Sequence, residues 1–225
     1  MTRDEVVDTL MRRFHNRTES SNTVRDAIIA EILLAIPNSL EAQPELPWFL
    51  LEEVPFTTTA AQDSASLDAE FLAVWEEGGF YLQNDDGTET ELSVDDWSWI
   101  KKNYVSYVGS SENASPQYLA VIGSTAYMKP TPDDVYTINY WQFKKDDISG
   151  LSGSYGDANA ANTSLWLTYA PEWVMGEVGA IVASTMLNDQ ASAQNFVALA
   201  NRAKDKIMAR TVYELEKLKQ RYMEG

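Results

Sequence analysis

Apolar residues recur at helical spacing at both ends of this chain and lose that spacing in the middle. Val6, Val7, Leu10, Met11 and Phe14 form one stripe, and Ile28, Ile29, Ile32, Leu33 and Ile36 a second. Trp173, Val174, Val178, Ile181, Val182 and Met186 form a third, and Phe196, Leu199, Ala200, Ala203, Ile207, Thr211, Leu215, Leu218 and Tyr222 a fourth. An amphipathic helix cannot cover its own stripe, so the two chain ends must come together. The expected fold class is α+β: an antiparallel helical bundle built from residues 1–48 and 165–225, carrying an inserted antiparallel β-rich domain at 49–147. A chain of 225 residues can bury roughly 70 % of its unfolded surface, enough for such a core.

Local signals place the elements. Thr2 with Glu5 makes a capping box for the first helix, and Thr23 with Asp26 repeats the pattern for the second. The second helix should end near Leu40, ahead of Pro44 and Pro47. Pro171 suits the first turn of the third helix. The fourth runs from about Ser192 to Tyr222, ~45 Å long and more than the short N-terminal helices can cover. In the insert, Phe80–Leu82 and Thr88–Leu92 flank an Asp-Gly turn and predict a hairpin. Ser93–Tyr104 predicts a helix with Trp97, Ile100 and Tyr104 inward. Tyr118–Ile122, Thr125–Met128 and Val135–Trp141 predict a three-stranded meander. Residues 148–164, rich in Gly, Ser, Ala and Asn, predict a flexible surface loop unless a partner orders them.

The formal net charge of −17 repels polyanions and argues against recognition of nucleic acid through a phosphate-neutralising surface. It is compatible with an acidic lumen that DNA passes through. Charge is also unevenly divided. Residues 41–100 carry fifteen acids and no base, whereas Asn195–Tyr222 carries seven bases against three acids. Apart from two solvated faces, this division suits an acidic flank of one copy meeting the basic helix of the next, or a basic helix docked on an acidic partner. The absence of cysteine excludes disulfides, thiolate metal sites and cysteine nucleophiles. Met1–Phe14 lacks a signal-peptide core, and no stretch reaches the ~20 apolar residues of a membrane helix. The chain reads as soluble and unprocessed.

Motifs for chemistry are weak. The single histidine, His15, follows Arg12-Arg13-Phe14 and is expected to cap the first helix. Glu76-Glu77, Asp85-Asp86, Asp95-Asp96 and Asp133-Asp134 sit where turns and helix starts want them. Adjacent strand residues face opposite ways, a poor arrangement for an acid–base pair. Asp85–Glu91 misses the spacing of a calcium loop, and Gly150–Gly156 has no lysine to make a phosphate loop. The sequence nominates no catalytic residue, no cofactor and no metal. Aromatic residues crowd the insert as sheet core, interface anchors or a sugar-stacking platform. Two rival readings stay open: a carbohydrate-binding or surface-attached β module with a helical stalk, and a carboxylate-dependent hydrolase.

One order of motifs goes further. A helical hairpin is followed by Pro47-Trp48-Phe49-Leu50, Phe71-Leu72-Ala73-Val74, Pro116-Gln117-Tyr118-Leu119-Ala120-Val121-Ile122-Gly123 and Tyr127-Met128-Lys129-Pro130-Thr131-Pro132-Asp133. Tyr136-Thr137-Ile138-Asn139-Tyr140-Trp141, Asn162-Thr163 and two closing helices complete it. Over roughly 1–215 this resembles the head-to-tail adaptor (connector) proteins of tailed bacteriophages. Ala69-Glu70 departs from the family's usual dipeptide before the first long strand, which leaves the register of 65–74 open. The resemblance implies a virion protein forming a ring, commonly of twelve copies, between the portal protein and the tail or nozzle protein, with DNA passing through the lumen. On this reading Arg202, Lys204, Lys206, Arg210 and Lys217 of the last helix, with Glu172 and Glu177, are the candidate portal or intersubunit interface. Trp48 and Trp173 are the candidate joint between bundle and insert.

Overall fold

A computed structural model describes residues 1–14, 22–107, 113–157 and 163–223. In chain order the elements are α1 (Arg3–Arg13), α2 (Asn22–Ala35), β1 (Leu51–Thr57), β2 (Ser64–Ser66), β3 (Phe71–Val74), β4 (Phe80–Gln83), β5 (Glu89–Glu91), β6 (Ser93–Val94), α3 (Trp97–Tyr107), β7 (Tyr118–Ile122), β8 (Thr125–Lys129), β9 (Thr137–Lys144), α4 (Leu165–Tyr169), α5 (Pro171–Thr185) and α6 (Gln190–Met223). The chain is mixed α+β and divides into two compact units, Met1–Leu50 with Lys145–Gly225, and Leu51–Lys144.

In the helical unit the α1 capping box forms as written in the sequence: Glu5 N–H donates to Thr2 Oγ1 and Thr2 N–H to Glu5 Oε2. His15, expected to cap the other end, lies outside the described residues. α2 continues into a π-type turn at Ile36–Leu40, where Glu41 N–H reaches back to Ile36 O. Pro37 accounts for the widening, since it lacks an N–H and its ring crowds the preceding turn. α5 and α6 approach closely through glycines. A Cβ on Gly176 would lie 2.5 Å from Ala200 N, and one on Gly179 2.4 Å from the Phe196 ring. Phe14, at the end of α1, meets Phe196 at 5.4 Å. A row of rings, Phe49, Trp166 and Trp173, packs edge to face at 5.1 and 5.4 Å, and Tyr169 stacks on Phe49.

Two buried polar arrangements tie distant segments together. The Arg3 guanidinium, fully buried, donates to Leu151 O, Gly153 O and Ser154 O. Tyr155 N–H donates to Asp26 and its hydroxyl to Asp8, with Arg25 over its ring at 4.7 Å. Residues 149–157, expected from composition to be a loop with nothing to bury, are therefore fastened to α1 and α2, and Leu151 is fully buried. Their anchors are backbone carbonyls meeting Arg3 and the backbone N–H and side chain of Tyr155 meeting α1 and α2, pairings that composition does not register; residues 158–162 lie outside the described residues. The second arrangement joins Glu41, Asp146 and Trp166. Glu41 Oε1 accepts from Asp146 N–H at 2.7 Å and Trp166 Nε1–H at 3.4 Å, while Asp146 Oδ2 accepts from Trp166 N–H.

In the second unit one sheet has the order β1-β9-β4-β5, with β3 also on β9, and the other β2-β8-β7-β6. All ladders are antiparallel except β6–β7. Phe56, Phe80, Leu82, Ile138 and Tyr140 from the first sheet share one core with Leu119, Ala126 and Met128 from the second. Tyr140 stacks on Phe80 at 5.2 Å, and its hydroxyl donates to Gln142 Oε1 at 2.7 Å. The hairpin β4–β5 forms with Gly87 at φ 82°, and β7–β8 turns at Gly123 with φ 60°. The predicted meander does not close. The far edge of β8 is taken by β2, so β9 pairs instead with β1, β3 and β4. Pro130 and Pro132, without N–H groups to extend the β8 ladder, lie in the link that carries the chain across. The register left open at 65–74 resolves into a bulge between Phe71 and Ala73. In α3, Asp96 accepts from the N–H groups of Ser98 and Trp99. Ile100 is buried and Trp97 half-buried; the Tyr104 side chain is outside those described.

Three outcomes follow from these contacts. Gly176→Ala forces α5 off α6 and lowers stability by ~1–3 kcal/mol, read as a lower urea midpoint. Arg3→Met leaves carbonyls of Leu151, Gly153 and Ser154 without their donor and costs about 1–3 kcal/mol, with faster proteolysis within 149–157. Burial pushes the Glu41 carboxyl above its ordinary value, the Asp146 and Trp166 hydrogen bonds only partly opposing it. The folded chain thus takes up this proton before the unfolded chain does, and stability at this site rises as pH falls from the raised value to the ordinary one. The difference in Tm between wild type and Glu41→Gln should therefore shift toward wild type across that window and be flat below it.

Candidate assembly surface

α6 has 34 residues and α5 has 15, about 51 Å against about 22 Å at the helical rise. The buried positions of α6 are Ala193, Phe196, Ala200, Ala203 and Thr211. Thr211 Oγ1 accepts from Trp48 N–H at 3.2 Å, so the 3₁₀ turn Trp48–Leu50 supplies the last cover. Beyond it no described side chain of α6 is buried, and Leu215 and Leu218 are only half-buried. The helix thus outruns its own unit.

Its basic residues divide into kinds that spacing alone does not separate. Arg202, Lys206, Arg210 and Lys217 are exposed on one face. Arg202 and Lys206 meet no carboxylate among the described residues. Arg210 and Lys217 share Glu214, at 3.6 and 3.8 Å. Arg210 also lies over the Trp48 ring at 4.9 Å, and Lys217 over Tyr213 at 4.4 Å. Lys204 instead turns inward, donating to Gln43 Oε1 at 2.7 Å and lying 5.9 Å from the Trp173 ring. Exposed apolar side chains accompany this helix: Val197, Val212 and Tyr213. Stripe counting overlooked them because they fall outside the spacing of the covered face.

Of the two nominated acids, Glu172 is exposed in the first turn of α5, where a carboxylate favours the helix dipole. Glu177 is half-buried and accepts from Trp173 Nε1–H at 3.3 Å. Neither is in an ion pair among the described residues. Trp48 and Trp173, nominated as the joint to the insert, both belong to the helical unit. Their ring contacts are to that unit's own Phe49, Tyr169 and Trp166.

The acids of the second unit are mostly surface. Asp85, Asp86, Glu89 and Glu91 around the β4–β5 turn are all exposed. Asp86 is held by its own turn: it accepts from Thr88 N–H and Thr88 Oγ1–H, which pulls its carboxyl below the ordinary value. Asp133 accepts from the Tyr136 hydroxyl and Asp134 from Val135 N–H. Such carboxylates order backbone and neighbours. Among the described residues no group of three or more His, Cys, Asp or Glu comes together as a metal site, and no helix is long and apolar enough to cross a membrane.

No curated protein matches the chain. The family model of the SU10 adaptor protein matches residues 1–219, running through both units and most of α6. With the match spanning almost the whole sequence, the chain belongs to the SU10 adaptor protein family, structural head-to-tail adaptors of phage virions.

Proposed function

We propose that copies of this chain form a ring at the virion neck, of the dodecameric kind, that joins the portal protein to the tail or nozzle protein and continues the DNA channel. The helical unit, an antiparallel bundle of both chain ends, builds the ring. The observation that carries this reading is α6: it extends past its own cover with Arg202 and Lys206 exposed and without acidic partners among the described residues. A helix with unmet charge and half-covered Leu215 and Leu218 gains from a neighbouring copy or a portal subunit. Glu172, exposed on α5, and Glu177, half-buried beside it, belong to the same candidate interface. A surplus of acids in the second unit suits a conduit that must release a polyanion rather than hold it. DNA passes without sequence-specific contact, and the role needs no catalysis, cofactor, metal or membrane. Assembly takes place in the host cytoplasm.

Charge reversal of Arg202, Lys206 and Arg210 together is expected to abolish ring or portal association in native mass spectrometry, with an unchanged far-UV circular dichroism spectrum. Association at the wild-type level would remove this face of α6 from the interface.

A further inference from the structure

Resting on the ring reading, the inference concerns what the basic face of α6 meets. We infer that Arg202 and Lys206 of one copy dock on Glu89 and Glu91 of strand β5 in the next copy.

Arg202 and Lys206 are four residues apart on a helix, a rise of about 6 Å. Glu89 and Glu91 are two residues apart on a strand, a rise of about 6.8 Å. The two rows are commensurate, so one cation can face each carboxylate without bending either element. β5 is the terminal strand of its sheet, with β4 on one side and, among the described residues, no strand on the other. All three of its residues are exposed. The partners at Glu91 and Glu89 across the hairpin are Tyr81 and Gln83, and Glu89 accepts a hydrogen bond from Asn139 Nδ2–H at 2.9 Å. Neither glutamate is in an ion pair among the described residues. The strand is held in place by its turn: the Asn84 amide donates to Thr88 and Thr90 hydroxyls, both at 3.0 Å. The carboxylates are thus presented from a fixed edge.

Charge then selects the occupant. Basic face against basic face, or acidic hairpin against acidic hairpin, places like charges together and is unfavourable. Pairing either patch with itself is disfavoured, so the α6 face of one copy is left to meet the β5 edge of another, a contact that closes into a ring when it is repeated head to tail. Chains with a net charge of −17 repel one another overall, so a local pairing of opposite patches is what directs their approach.

The test uses full-length protein, alone and with the portal protein, with the assembled fraction followed by native mass spectrometry against concentration. Arg202→Glu with Lys206→Glu is expected to raise the concentration for half-assembly about tenfold or more, and Glu89→Lys with Glu91→Lys to do the same. All four substitutions in one chain should restore assembly, because each interface again pairs opposite charges. Wild-type assembly should also weaken as ionic strength rises. If the α6 reversal prevents assembly but the β5 reversal leaves it at wild-type level, or if the four-fold variant fails to recover, the β5 partner is wrong while the α6 interface stands. If neither reversal moves assembly, both readings fall. Far-UV circular dichroism and the urea midpoint of each variant separate a lost contact from a lost fold.

Discussion

The helical unit depends on the close approach of α5 and α6 at Gly176 and Gly179. With no side chain at these positions, the backbone of α5 rests against Ala200 and Phe196 of α6. Phe196 in turn receives Phe14 from the N-terminal helix. One contact line therefore fixes the long helix against the rest of its unit and determines which of its residues are left outside. The tight line covers the N-terminal part of α6, the Trp48 turn covers Thr211, and the remainder projects. Arg202 and Lys206 are exposed because they lie on the side of α6 turned away from the buried Ala200, Ala203 and Thr211.

Polar groups secure what apolar packing cannot hold in place by itself. Arg3 gathers three carbonyls of residues 151–154, and Glu41 with Asp146 holds the start of α4. Buried polar groups are costly unless satisfied, so these arrangements specify one placement of their segments more than they add stability. Arg202 and Lys206 of α6 and Glu89 and Glu91 of β5 are in no ion pair among the described residues, and a protein that works as one member of an assembly has reason to keep such patches for its neighbours.

Much of the architecture was legible because local chemistry dictated it. The Thr2–Glu5 box, Pro171 at the start of α5 and the Gly87 and Gly123 turns each rest on a backbone requirement that only certain residues meet. The meander failed for a different reason. Strand character at Val135–Trp141 was plain, but a strand has two edges and nothing local says which neighbour will take them. Likewise residues 149–157 looked poor in anchors because the partners of their carbonyls and of Tyr155, Arg3 with Asp8 and Asp26, lie far away in sequence. The candidate surface was legible in part: the charge of Arg202, Lys204, Lys206, Arg210 and Lys217 was visible, but not that Lys204 turns in to Gln43 or that Arg210 lies over Trp48.

The sequence by itself determined that the chain ends are helical and the middle β-rich, that residues 41–100 would be acidic and the last helix basic, and the order of motifs that marks a head-to-tail adaptor. These depend on neighbours a few residues apart. The same reading missed that Ser93–Val94 is a strand, with α3 starting only at Trp97. Tertiary structure alone decided how the strands divide between two sheets, which basic side chains stay exposed, and how far α6 runs beyond its cover. Each of these is set by residues distant in sequence competing for the same edge, pocket or apolar face, and that competition is settled only when the chain is packed.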